Sequence, residues 1–374
     1  PGDWFVAWAG AGSTAAQNAT ARTYMSNLPE NQSYVANQFT DMLPANTRYN
    51  MFFTGDYDID SLFGLEGTSF FFEASHSNSQ TFNDSNYHGQ LFPTVPDTNP
   101  TNPFTYNNGA SFFGYGVVPI IASPVQRSDV DVEIQQTRLL TGLRGDLGFI
   151  GAPGWDFEAF ASYTRSMGYS SRGAVLEERL RLSLGTTRFD GGGNLVCGDQ
   201  AYQDLFGFLD PENCVPVNMF APSLYIYNPE TGPQWGTTAE RDFLTGERTV
   251  TTKVDELVAG AFVTGPLFNL PDGEVSGVFG WEFREIGLDS GVDTIARLGL
   301  AAGFFADQLS VGSVNLNEAY AELSFPLLRG RTFAEDLTFD VAARLTDHEF
   351  YGQNSTWAAK LSWSPVDYLT FRGT

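Results

Sequence analysis

Lysine is almost missing from this chain. Only Lys253 and Lys360 occur among the 374 residues, so nearly all of the 20 basic residues are arginine, and 44 carboxylates bring the net charge to −24. That balance argues against nucleic acid as a partner, because binding to a polyphosphate rests on basic patches. Histidine is scarce as well. His76, His88 and His348 are scattered, no HExxH, GxSxG or P-loop pattern occurs, and no enzyme constellation or metal-ligand spacing survives inspection. No run of 18 apolar residues exists, so no helix is expected to cross a membrane. A barrel crosses with alternating strands and leaves no such run, so that absence does not exclude a membrane protein. Cysteine is limited to Cys197 and Cys214, a pair compatible with one disulfide in an oxidising compartment.

What the chain has in quantity is glycine and aromatics: 39 Gly and 32 Phe, with aromatic residues at 14%. The clearest order lies between Val314 and Thr374. Leu337, Phe339, Val341, Ala343 and Leu345 are apolar, while Thr338, Asp340, Ala342, Arg344 and Thr346 between them are small or polar. Trp357, Ala359, Leu361 and Trp363 alternate in the same way with Thr356, Ala358, Lys360 and Ser362. Ala319, Ala321, Leu323, Phe325 and Leu327 alternate with Glu318, Tyr320, Glu322 and Ser324. A period of two marks a sheet with one greasy face and one wet face. In a soluble sandwich the greasy face is the core; in an outer-membrane barrel it meets lipid and the wet face lines a lumen. Long strands, aromatics at their ends (Trp155, Tyr163, Tyr169, Trp357, Trp363) and charge deep within the wet face (Glu318, Glu322, Asp340, Arg344, Lys360) favour the barrel.

Earlier segments repeat the pattern. Trp4–Trp8 is a possible first strand, and the Asn-, Ser- and Thr-rich stretch from Asn18 to Thr47 reads as a surface loop. Strands are expected at Tyr49–Tyr57, Thr68–Ser77, Asp131–Gly148, Trp155–Arg172, Arg248–Gly265 and Glu274–Asp289. Short turns fall near 58–67, 148–154, 266–273, 328–336 and 365–368, and long excursions at 78–130, 173–247 and 290–313. The short turns share one edge and the long loops the other, with a short link at Tyr351–Asn354 on the long-loop side. LEERLRLSLG within the second excursion reads as a short helix. Asp56, Asp58 and Asp60 have the spacing that opens a calcium loop, but Ser61 and Gly67 stand where such a loop needs Gly and Glu, so a solvated hairpin turn is the better reading. One all-β domain over residues 1–374, an antiparallel meander of about ten strands, is the simplest organisation. The start at Pro1 and the stop at Thr374 inside a strand pattern read as a piece of a longer protein.

Several segments together resemble a known family. NEAYAELSFPLL, FAEDLTFDVAARLTDHE, TWAAKLSWSPVDYLTFRGT, LPDGEVSGVFGWEFRE, CVPVNMF and the NPF of NPTNPF are similar to the barrel of TonB-dependent outer-membrane receptors. The resemblance covers most of residues 49–374. It implies a barrel of roughly 22 strands with a plugged lumen, of which this chain supplies about ten. It also implies a Gram-negative outer-membrane location, long extracellular loops, no cofactor, and active uptake. TonB would supply the energy through the plug region, outer-membrane lipid would surround the wall, and the ligand would be a siderophore, cobalamin, oligosaccharide or similar small molecule. A passive porin and a secreted carbohydrate-binding β protein are the alternatives; a plug upstream would exclude the first, and release from cells without detergent would mark the second.

On that reading the loop aromatics Phe104, Tyr106, Phe112, Phe113, Tyr115, Tyr225, Tyr227 and Trp235 are candidates for stacking on a ligand, the competing reading being that they pack the loops together. Arg138, Arg144, Arg284 and Arg344 are expected to point into the lumen. The few positive charges argue against a site for a highly anionic ligand. Cys197 and Cys214, in one Gly- and Pro-rich excursion of an exported chain, are expected to form a disulfide on the extracellular side.

Overall fold

The computed structural model describes residues 43–59, 67–83, 89–102, 118–125, 129–198, 212–224 and 233–374. Ten strands follow one another in a single antiparallel sheet whose spatial order is the chain order. They are β1 (Ala45–Asp58), β2 (Thr68–Asn83), β3 (Val130–Asp146), β4 (Asp156–Val175), β5 (Thr245–Leu270), β6 (Gly273–Val292), β7 (Ser310–Arg331), β8 (Ala334–His348), β9 (Gly352–Val366) and β10 (Leu369–Gly373). The meander is the one expected from the alternation, but several strands run further than the alternation does. β2 continues through Asn78–Asn83, where it stays paired with β1 as far as Phe82 and with β3 to its end, and β5 spans Thr245–Leu270, its first five residues paired with β4 and its last five with β6. Above a membrane both faces of a strand are wet, so pairing persists where the greasy signature stops. β3 ends earlier than expected, at Asp146, where Leu147–Ile150 form a 3-10 turn whose cap is the Asp146 carboxylate accepting from the Gly148 N–H at 2.5 Å. Trp4–Trp8 lies outside the described residues. Asp56 and Asp58 sit inside β1 rather than in a turn, and Asp60 is outside the described residues.

Register fixes the faces, since directly paired residues share a side of the sheet. The greasy face carries Phe53, Phe72, Leu139, Tyr163, Leu257, Phe279, Trp281, Leu345, Trp357 and Trp363, all exposed; Trp281 is 46% and Trp357 80% accessible. Nothing among the described residues closes over this face to make it a core. Its upper border is informative. Leu257 pairs with Glu285, so the apolar belt on β6 begins one step lower, at Phe283. Phe283 pairs with Asn317, so β7 begins at Ala319. Ala319 pairs with Leu345, and Leu345 with Ser355, so β9 begins at Trp357. The lower border descends with it, from Phe157 beside the β3–β4 turn to Leu337 and Trp363. A level, constant-width belt crossing tilted strands has this stepped form. The stretch Leu337–Leu345 matches the length of about 9–11 tilted residues needed to cross the hydrocarbon layer. Trp155 and Trp363 sit at the lower edge as girdle residues; Trp155 stacks on Phe279 at 6.3 Å, and the Trp363 indole N–H donates to the Phe333 carbonyl at 2.9 Å. The chain is thus a wall of membrane-crossing antiparallel strands.

Glycines opposite aromatics let this wall curve. On the wet face Phe71 lies over Gly142, Phe160 over Gly260, and Tyr320 over Gly280, where an added Cβ would meet the rings at 2.4, 2.9 and 2.3 Å. Phe71, Gly142, Phe160 and Gly260 also follow one another along a single register row. A ring laid over a neighbour's glycine shields bare backbone and allows a tight bend, a device used to shape barrels. Bulges adjust the lower rim. Leu327 is the extra residue opposite β8, so Leu328, rather than Leu327, takes the place across from Leu337.

Among the described residues, the one large cluster of buried apolar side chains lies elsewhere, in the long connections. Leu91, Val95, Ile121, Leu180, Leu182, Leu184, Val217, Met219, Leu224, Phe243 and Leu244 bury one another at the long-loop edge of the sheet.

Candidate functional site

The long connections are not loose. The expected short helix is present as α1 (Glu177–Thr186), followed by α2 (Thr238–Leu244) and α3 (Thr294–Leu298). α1 shows its Leu180, Leu182 and Leu184 to the loop core, and Asn99 from the first connection donates to the Leu184 carbonyl at 2.9 Å. Ser183 joins a second segment: its hydroxyl donates to the Val215 carbonyl and accepts from the Val217 N–H. The third connection enters through the Ala302 N–H to the Val175 carbonyl and the Glu177 N–H to the Leu300 carbonyl. Three excursions that are far apart in sequence therefore form one hydrogen-bonded cap.

A covalent staple holds part of that cap. Cys197 and Cys214 are bonded at 2.00 Å with Cα atoms 5.6 Å apart, as expected. Cys214 packs against the loop core, so the staple anchors the second excursion to it.

α2 carries a buried carboxylate. The Thr237 hydroxyl accepts from the Glu240 N–H at 3.1 Å, and Glu240 Oε2 accepts from the Gly236 N–H at 2.9 Å, a variant of the capping box. Burial pushes the Glu240 carboxyl above the ordinary 4.5, and hydrogen bonds from the Gly236, Asn218 and Thr237 backbone pull against that rise. At the exposed DGGGN turn the opposite holds. Asp190 is held below its ordinary 3.8 by the Asn194 backbone and side chain and by the Gly192 and Gly193 N–H groups.

The wet face below the cap is lined with ion pairs. Arg138 meets Glu73 at 3.0 Å, Arg144 meets Asp56 at 2.5 Å, Arg284 meets Glu282 at 2.9 Å, and Arg344 meets Glu318 at 3.2 Å. All four expected lumen arginines share this face, and each has a carboxylate beside it. Lys360 and Ser324 both approach Asp340, at 3.7 and 2.7 Å, in a hollow of about 350 Å³ bordered by Glu322. Such half-exposed pairs each contribute little stability but keep the face hydrated and polar.

Of the loop aromatics, Trp235 is 6% exposed and belongs to the loop core, so its ring serves packing. Phe104, Tyr106, Phe112, Phe113, Tyr115, Tyr225 and Tyr227 lie outside the described residues, as does His88. His76 shares a hydrogen bond with the Thr137 hydroxyl at 2.9 Å, and His348 Nδ1 accepts from the Phe350 N–H at 3.1 Å; His348 ends β8, whereas His76 lies mid-strand because β2 runs on to Asn83. No cluster of three or more metal-ligating side chains occurs among the described residues. Sequence reading missed Arg172 and Arg248, which pair directly across β4 and β5 on the wet face beneath the cap. Their alternation was legible, but the loop segment that covers them was not.

No family model matches the chain, and no curated protein matches it. Solved structures do. The ferric enterobactin receptor PfeA of Pseudomonas aeruginosa, in a mutant form, is similar at 16% identity and a TM-score of 0.41, over 88% of this chain and 33% of that one. The RagAB peptide transporter is similar at 11% identity and 0.42, over 87% and 31%. The ferric-catecholate import receptor Fiu of E. coli K12 is similar at 12% identity and 0.30, over 86% and 44%. The chain spans 31–44% of the length of these structures.

Proposed function

We propose that this chain forms part of the barrel wall, and most of one ligand-gathering cap, of an outer-membrane transporter that imports a nutrient with energy supplied through TonB. The observation that carries the reading is the junction of two surfaces. A level apolar belt suits strands that cross lipid, and the three long connections fuse into one buried, disulfide-stapled cap at one edge of the ion-paired inner face. A rigid cap over a polar path is where binding residues are expected, since loops on a scaffold carry recognition. In this reading the cap faces outward, the short turns face the periplasm, and a plug from outside this chain fills the lumen. Ligands of the siderophore, cobalamin, oligosaccharide or peptide kind fit the class.

The test uses the whole receptor. Deleting the tip of connection 173–247 should abolish ligand binding and uptake in cells while the barrel remains folded and heat-modifiable on gels. Unchanged affinity after the deletion would assign recognition elsewhere and leave this chain as wall.

A further inference from the structure

Arginines along the middle of the inner face stand beside carboxylates, but a pair built into the cap does not share that balance. Arg172 and Arg248 are direct cross-strand partners on β4 and β5. Like charges in that position repel, so a fold that keeps them together holds them by other means. Both guanidinium groups lie over the ring of Phe304, at 5.6 and 5.2 Å from its centre. Phe304 is fixed from behind: its N–H donates to the Ala301 carbonyl, Ala302 bonds Val175, and Gly299 turns the chain at φ 66°. Asp307 forms an ion pair with Arg248, whose side chain is 13% exposed. Among the described residues the charged groups beside Arg172 are Arg248 and Asp307, so two cations there share one carboxylate. The Nε atoms of both arginines are buried and without a hydrogen-bond partner. Lower on this face Arg138, Arg144, Arg284 and Arg344 each have a carboxylate beside them.

We propose that Arg172 and Arg248 form a subsite for one carboxylate group of the ligand, seated against the Phe304 shelf. Guanidinium forks match planar oxyanions through paired N–H donors. One further negative charge balances the pair, so the subsite takes one carboxylate group, whether the molecule carries only that one, as acetate does, or others that stay in water, as citrate does. The inference rests on the transport reading for its meaning, because it names the chemical class of ligand, yet its test needs no uptake.

The full receptor, purified in detergent, is titrated with acetate, citrate and inorganic phosphate at constant ionic strength in chloride, by calorimetry. Saturable citrate and acetate binding is expected in the unaltered protein. Arg172→Gln should weaken it at least tenfold, and Arg172→Lys should weaken it less, keeping the charge but losing the fork. No saturable binding in the unaltered protein would overturn the proposal, which also covers the case where a side chain from another segment already fills the site. Phosphate binding without carboxylate binding would overturn the assigned class. Folding of each variant is read from heat-modifiable gel mobility. A variant that alters unfolding but binds citrate as before would show that Arg172 only supports Phe304, and would overturn it equally. Loss of citrate binding together with intact uptake of the physiological ligand would leave the transport reading standing and refute the subsite as part of it.

Discussion

Substituting Gly280 by Ala tests how the wall curves. A Cβ there would stand 2.3 Å from Cζ and 2.4 Å from the hydroxyl of Tyr320, so the ring must leave its seat. Tyr320 also carries Arg344 at 5.3 Å over its face, and Arg344 reaches Glu318 at 3.2 Å. Overpacking of this kind costs about 1–3 kcal/mol. Disturbing a half-exposed cation–π contact adds about 0.5–1 kcal/mol. Against this, replacing a strand glycine recovers about 0.5–1 kcal/mol of backbone entropy. The net expectation is a loss of roughly 1–3 kcal/mol, because the clash outweighs the other two effects, which nearly cancel. The sharper test is a double-mutant cycle with Tyr320→Ala. Without the ring, Gly280→Ala has nothing to strike and should become neutral or stabilising by about 0.5–1 kcal/mol. Urea unfolding of protein folded into lipid vesicles, followed by tryptophan fluorescence, gives all four stabilities. A coupling of at least about 1 kcal/mol is expected. Additive effects of the two substitutions would refute the claim that the ring rests on the glycine.

Three further outcomes are expected. Phe279→Arg, within the apolar belt, should destabilise the lipid-folded protein by about 2–4 kcal/mol, and the same change at Gln353 above the border by no more than about 1 kcal/mol; equal costs would argue against a lipid-facing belt. Replacing Cys197 and Cys214 with Ser should loosen the cap by about 3 kcal/mol on the chain-entropy model, seen as faster proteolysis of the 176–244 connection without loss of the heat-resistant barrel. Because the folded-state value of Glu240 is raised, its contribution to cap stability is fully present below the ordinary 4.5 and is lost as pH rises through the folded value. Glu240→Gln should therefore flatten the pH dependence of cap unfolding on the alkaline side of 4.5; a steeper profile would reverse the sign assigned here.

The meander was legible because an apolar face and a wet face impose a period of two along most of each strand. Leu337–Leu345 and Trp357–Trp363 show it without interruption. It faded where both faces are wet, so the polar Asn78–Asn83 end of β2 read as loop although it is fully paired. It failed by one residue at Leu327, because a bulge changes which side the next residue takes. The helix at Glu177–Thr186 and the disulfide could be read locally. The cap could not, because Asn99, Ser183, Ala302 and Phe304 meet only through tertiary contacts between separate connections. Arg172 and Arg248 were visible as polar-face residues, but their unequal charge balance depends on where Asp307 folds back.

Spin labels placed one at a time along β8, from Leu337 to Asp347 in lipid vesicles, address the membrane-wall account most directly. Collision with oxygen dissolved in lipid should be high at 337, 339, 341, 343 and 345, and collision with a water-soluble nickel reagent should be high at the residues between them. The pattern should turn to water at Asp347, where the belt ends. Odd positions shielded from both reagents would place that face in a closed protein core, and the account of a lipid-facing wall would be wrong.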